Sequence, residues 1–132
     1  MTAVSRSEAF LRWGLLSTAR INRLVIPSIH AAERAELVGV ASRSQERAEA
    51  CAAEWDIPRA YGSYQSLLDD PGVDVIYISL PNSLHAEWAV RAAAAGKHVL
   101  CEKPLAVNAA ACDEIIAAGE AAGVVVIEAV MY

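Results

Sequence analysis

Val73-Asp74-Val75-Ile76-Tyr77-Ile78-Ser79 decides the fold of this chain. The run is apolar and rich in β-branched residues, the pattern of a strand buried on both faces of a parallel sheet. Asp70-Pro71-Gly72 in front of it is a turn signal. Leu80-Pro81-Asn82 behind it ends the strand, because proline has no N–H for a ladder. Asn82 or Ser83 then opens a helix that closes at Gly96, a glycine suited to a left-handed cap.

The same alternation continues in both directions. Upstream, Leu11 to Leu16 and Glu36 to Ala41 read as strands, with a short extended piece at Arg59 to Tyr61. Between them a helix runs from Ala19 to about His30, which Pro27 must end or kink. A second helix, capped by Ser44, runs to Trp55. Ser63 caps a brief helix before Asp70. Downstream, His98 to Cys101 is strand five, Asn108 caps a long Ala-rich helix ending at Gly123, and Val124 to Glu128 is strand six. Six strands alternating with helices predict a doubly wound α/β fold, a mostly parallel sheet with helices on both faces.

The chain has 132 residues, 55% of them hydrophobic, which is one domain's worth of core. A net charge of −5 argues against nucleic acid as the partner, since phosphate binding needs a basic face. No apolar run reaches the roughly 18 residues of a membrane span. Residues 1–10 lack the apolar core of a secretory signal and read as a polar lead-in to a domain spanning 11–132. Cys51, Cys101 and Cys112 are odd in number and widely spaced, so they form neither a disulfide framework nor a metal pattern. A cytoplasmic, reducing location is the simplest reading.

In an open α/β sheet, ligands bind at strand ends. The first strand runs into Ser17-Thr18-Ala19-Arg20-Ile21-Asn22, where a dinucleotide-binding fold places Gly-x-Gly-x-x-Gly. All three glycines are replaced, by Ser17, Ala19 and Asn22. Ser17 can still turn tightly and offer a hydroxyl, and Ala19 adds one methyl near a pyrophosphate. Free N–H groups and the helix dipole favour an anion there. Asn22 is harder to explain, because the third glycine lets helix and strand pack closely. An ordinary strand–turn–helix without a ligand fits the same residues.

Strand two ends at Ala41-Ser42-Arg43-Ser44. An NAD site usually carries an acidic residue here for the ribose 2′-OH. This chain has Arg43 between two hydroxyls, which suits a 2′-phosphate. NADP(H) is the expected cofactor and NAD(H) the alternative. A surface arginine beside a Ser cap is the plainer explanation.

Leu80, Pro81 and Asn82 end strand four. His85 lies in the first turn of the following helix, where the dipole disfavours a cation, and a packing role suits it as well as a site role. No second His or Cys stands at ligand spacing, so no metal is expected. Strand five runs into Cys101-Glu102-Lys103-Pro104, which puts a carboxylate and an ammonium at the mouth of the same crevice. Beside the positive ring of an oxidised nicotinamide, a lysine ammonium gives up its proton more readily, which suits proton transfer. Glu102 could hold the lysine or a ribose hydroxyl. A surface ion pair on a loop explains the two residues equally.

Pro81-Asn82 with His85, Ala95-Gly96-Lys97-His98-Val99 and Glu102-Lys103-Pro104 stand together at the spacing of one family. The chain resembles the glucose–fructose oxidoreductase / inositol dehydrogenase (Gfo/Idh/MocA) family over nearly its whole length. Arg12-Trp13-Gly14, Ala60-Tyr61-Gly62-Ser63-Tyr64 and Glu128-Ala129 look most like its dihydrodiol and xylose dehydrogenase branch, in which the glycine fingerprint is often degenerate. The resemblance implies an N-terminal Rossmann domain whose C-terminal substrate domain is absent from this chain. It implies hydride transfer between a nicotinamide cofactor and a sugar, polyol or dihydrodiol.

By that similarity Lys103 matches the catalytic lysine and Glu102 its cofactor-contacting neighbour. Ser17, Thr18, Ala19, Arg20 and Ile21 match the pyrophosphate turn. Ser42 and Arg43 match the 2′-phosphate contact, and Leu80, Pro81, Asn82 and His85 line the cofactor. The Lys103–Pro104 bond is expected to admit the cis form. The second acid/base residue belongs to the missing domain. Without that domain, exposed apolar surface is expected to drive self-association into a homo-oligomer. A non-catalytic dinucleotide-binding module, a sensor or partner-regulated domain complete as it stands, is the rival reading. The Glu-Lys-Pro turn favours the enzyme, since a sensor needs no lysine at the nicotinamide end.

Overall fold

The computed structural model describes residues 10–129. Residues 1–9 of the expected lead-in, and Val130 to Tyr132, lie outside the described residues. Six strands form one parallel sheet: β1 Leu11–Leu16, β2 Ala35–Ala41, β3 Arg59–Tyr61, β4 Val75–Ile78, β5 His98–Cys101 and β6 Val126–Glu128. Their spatial order is β3-β2-β1-β4-β5-β6, the doubly wound order expected from the alternation. The order reverses between β1 and β4, so the crevice of this fold opens at the carboxyl ends of those two strands.

Five α-helices connect the strands: α1 Asn22–Ala31, α2 Gln45–Trp55, α3 Tyr64–Leu68, α4 His85–Ala94 and α5 Ala109–Ala122. Three side-chain caps read from sequence are made. The hydroxyls of Ser44 and Ser63 accept from the N–H groups of Arg47 and Ser66, and Asn108 Oδ1 accepts from Ala111. Gly123 ends α5 at φ 69°, a conformation that costs glycine nothing.

The core splits across the sheet. Leu15, Ile26, Ile29, Leu37, Val40, Ile57 and Tyr77 pack on the α1/α2 side. Leu16, Val38, Leu67, Ile76, Ile78, Ala89, Val99 and Ile115 pack on the other, under α3, α4 and α5. The strand that decided the fold is buried along all of Val75–Ile78. On the sheet near β5 and β6, Leu11, Trp13, Val75, Leu100, Val125 and Ile127 line an apolar groove of about 270 Å³. Leu11, Val125 and Ile127 are among the exposed large apolar residues.

Several details differ from the sequence reading, and β4 is shorter than expected, Val75–Ile78 rather than Val73–Ser79. α1 begins at Asn22 rather than Ala19, because Thr18 to Ile21 form the turn that leaves β1. Pro27 does not end α1. Ile26 and Ile29 are buried on either side of it, and their packing outweighs the one hydrogen bond that proline forgoes. Asn82 makes no side-chain cap. A 3₁₀ turn, Asn82–Leu84, leads into α4 instead. β6 starts at Val126, two residues later than expected.

Lys97 has a structural task. It is buried, and its ammonium donates to the carbonyls of Asp70 and Val73 at 2.7 Å each, tying the turn before β4 to the start of β5. Burial lowers its pKa. At the opposite end of the sheet from the crevice, Arg12 grips Asp74 with Nε and Nη2 at 2.9 Å each, and its own N–H donates to the same carboxylate.

Candidate functional site

A crevice of about 510 Å³ opens at the carboxyl ends of β1, β2 and β4. Its walls include Ser17, Thr18 and Ala19 after β1, Ser42 and Arg43 after β2, and Leu80 and Pro81 after β4. Seven residues chosen from sequence therefore meet in one space. Ser44, Arg47, Tyr64 and Ser79 join them, and sequence reasoning did not assign these four to the site. A signal existed for Arg47, which stands four residues after Arg43 on the first turn of a helix. Ser79 was legible as the last residue of a strand at the switch point.

The first turn explains its missing glycines. Ser17 adopts φ 129°, a region that favours glycine. Its hydroxyl is not offered to a ligand, as the sequence suggested. It lies 2.9 Å from Ser79 Oγ and accepts from the N–H of Ala19 at 3.2 Å. Asn22 is buried, its Nδ2 donates to Ser17 O at 2.8 Å, and its Oδ1 accepts from Ser79 Oγ at 2.8 Å. Three side chains, one just past β1, one just past β4 and one at the start of α1, thus close a neutral buried network where helix–strand contact through glycine was expected. Among the described residues, the N–H groups of Thr18, Arg20 and Ile21 have no protein acceptor. They precede the positive end of α1, where an anion is favoured.

At the end of β2, Ser42 Oγ accepts from Ser44 N–H and the Ser44 hydroxyl caps α2, so both hydroxyls fix the loop that carries Arg43. Arg43 and Arg47 are exposed and line the crevice. Neither is in an ion pair among the described residues. On the far side of the first turn a second groove, about 320 Å³ between α1 and α2, carries Arg20, Arg23 and again Arg47.

Glu102 and Lys103 do not line this crevice. They sit at the end of β5, the strand next to β4, and Glu102 N–H donates to Ile78 O at 2.9 Å. No Glu102–Lys103 ion pair forms. The carboxylate accepts instead from the Tyr77 hydroxyl at 2.7 Å. Burial, and then the carboxylate, push the Tyr77 pKa far up, so the phenol remains a donor. A buried tyrosine hydroxyl needs a partner, which was the available sequence signal for this contact. Lys103 itself is exposed, and the Lys103–Pro104 bond is cis. Burial raises the Cys101 thiol to about 12, which leaves it protonated and inert.

His85 is corrected as a cofactor contact. It is fully buried, with Nδ1 2.8 Å from Pro104 O and Nε2 2.8 Å from Leu80 O. No polar atom of the ring remains for a cofactor. Asn82 is exposed but lies outside the lining of the crevice. Among the described residues, no group of three metal-ligating side chains converges. No helix there is long and apolar enough to cross a membrane.

Comparison with known proteins agrees with this geometry. The model of an oxidoreductase family with an NAD-binding Rossmann fold matches residues 11–130. The chain is 48% identical to a D-xylose 1-dehydrogenase (NADP(+)) of Haloferax volcanii over 123 residues, 92% of this chain and 38% of that protein. It is 42% identical to a trans-1,2-dihydrobenzene-1,2-diol dehydrogenase of Mus musculus, covering 91% of this chain and 37% of that one. A 3-ketoreductase from Actinomadura kijaniata solved with NADP superimposes with a TM-score of 0.86 at 34% identity, over 90% of this chain and 38% of that one. The chain spans less than two-fifths of the length of each of these relatives.

Proposed function

We propose, from the premise that the chain belongs to the Gfo/Idh/MocA oxidoreductase family, that it binds NADP(H) as the cofactor part of a dehydrogenase for a sugar, polyol or dihydrodiol. The observation that carries this reading is the crevice itself. Thr18, with an unpartnered N–H, stands at one wall of it, the unpartnered N–H groups of Arg20 and Ile21 follow in the same turn, and two unpaired arginines stand at another wall.

The residues fit the group. The N–H groups of the first turn would take the pyrophosphate, with the positive end of α1 behind them. Arg43 in the loop before α2 and Arg47 in its first turn would take the 2′-phosphate by charge-assisted hydrogen bonds. Ser42 holds the loop in that geometry, and Leu80 and Pro81 would face the ribose and nicotinamide half. The bound nicotinamide supplies the hydride acceptor or donor. Lys103 would move a proton to or from the substrate oxygen, and Glu102 would accept from a ribose hydroxyl while Tyr77 holds it.

The substrate domain and the second acid/base group would come from the part of the relatives' length that this chain does not span. Three free cysteines support a reducing cytoplasm as the location. The apolar groove beside β6 would be the surface of self-association.

Calorimetric titration with NADPH and NADH tests the cofactor. NADPH should bind more tightly, and Arg43→Ala should remove roughly tenfold or more of that preference, as loss of a charge-assisted contact does. Equal affinities for the two cofactors would contradict the NADP assignment. Absence of binding by either would contradict the reading of the crevice.

A further inference from the structure

We propose that His85 and Glu128 are a pair of positioning residues that grip one peptide group, Pro104–Leu105, from opposite sides and so fix the Lys103 turn. The carbonyl of Pro104 and the N–H of Leu105 belong to the same amide. His85 Nδ1 lies 2.8 Å from that oxygen, and Glu128 Oε2 accepts from that N–H at 2.6 Å.

Each partner reaches the amide because of where the fold puts it. His85 is the first residue of α4, delivered by the 3₁₀ turn after β4, and its Nε2 is seated on Leu80 O at 2.8 Å. Glu128 is the last residue of β6, in register with Cys101 two residues before Lys103. The ladder continues past it, with Ala129 N–H donating to Cys101 O at 2.7 Å. The grip therefore ties the ends of β4, β5 and β6 together at a single amide.

The physical chemistry favours that amide as the anchor. Pro104 has no N–H, so the next peptide is the first after Lys103 that offers both a donor and an acceptor. A donor on its oxygen and a carboxylate on its N–H polarise it in the same sense, and such chains strengthen one another. The ring stands between two carbonyl oxygens, Pro104 O and Leu80 O, and a ring nitrogen bonds a carbonyl only by donating. The proposal requires the Nδ1 side to donate to Pro104. Lys103 has no side-chain partner among the described residues, so its backbone is where the protein can aim it.

Amide hydrogen exchange of Leu105 in the 132-residue chain tests the grip without cofactor. Glu128→Ala, at a surface position, should speed Leu105 exchange by roughly tenfold or more, the effect of losing a hydrogen bond to a charged group. His85→Asn keeps a donor where Nδ1 stands and should leave the exchange near wild type. His85→Gln keeps a donor only where Nε2 stands and should speed it several-fold, although it touches neither Leu105 nor Glu128 directly. Unchanged exchange in Glu128→Ala, or identical behaviour of the two His85 variants, would overturn the proposal, because a packing role does not distinguish them.

The meaning of the grip for catalysis rests on the proposed function, and a second measurement separates the two. NADP⁺ should shift the Lys103 amide resonance in wild type, and by less in Glu128→Ala. A wild-type Lys103 amide that NADP⁺ leaves unmoved would overturn the placing of Lys103 at the cofactor, while the exchange data would still decide the grip.

Discussion

The two turns that would meet one ligand are built in opposite ways. The turn after β1 is held by a neutral, buried network of Ser17, Asn22 and Ser79. The turn after β5 is held by charged or ionisable groups, two of them buried and one exposed: Tyr77 on Glu102, His85 on Pro104, and Glu128 on Leu105. The first must leave its own N–H groups free for an anion, so side chains from behind carry its geometry. The second must present one side chain, so its backbone is gripped on both sides.

The largest test of this contrast is Asn22→Gly, which restores the third glycine of the dinucleotide fingerprint. If glycine were what the turn lacks, the change would be harmless. The network predicts the reverse. Ser17 O would be left buried without its partner and the Ser79 hydroxyl would keep only Ser17 Oγ, at a cost of about 2 kcal/mol in urea unfolding.

Asp74→Asn is the control, because it breaks the Arg12–Asp74 pair at the opposite end of the sheet from both turns. A loss of about 1–2 kcal/mol is expected at neutral pH. Hydrogen bonds from Arg12 hold the Asp74 carboxyl below its ordinary value of 3.8. The stability it contributes is therefore present above about pH 4 and is lost as the pH falls through the lowered folded value. Wild type and variant should converge in stability there, with cofactor affinity at neutral pH equal in both.

Tyr77→Phe is the smallest change expected. Glu102 is half-buried and water can replace the phenol, so the cost should be about 1 kcal/mol. Thermal unfolding that fell as far as for Asn22→Gly would show that the lysine turn is internally buttressed like the first, and the contrast would fail.

Much of this was legible in the sequence. The strand within Val73–Ser79, found at Val75–Ile78, the hydroxyl and amide caps at Ser44, Ser63 and Asn108, and the strand-end position of Arg43 follow from local chemistry, and local chemistry survives folding. What escaped was non-local. Asn22 looked like an obstacle because its partners lie 5 and 57 residues away. His85 was placed at the cofactor because helix position cannot say which carbonyls will reach its ring. Glu128 was noted only by resemblance, since its contact with Leu105 depends on the β5–β6 register. Of the two outcomes read for Pro27, an ended helix does not occur, because that rule describes an isolated helix and here buried isoleucines on either side hold it together.

The central claim is that both turns face one dinucleotide, and a backbone amide NMR titration of the 132-residue chain with NADP⁺ tests it most directly. The account predicts that resonances of Thr18, Arg20, Ile21, Arg43 and Lys103 move together along one saturation curve. Movement at Arg43 with the first turn or Lys103 unmoved at saturation would contradict it.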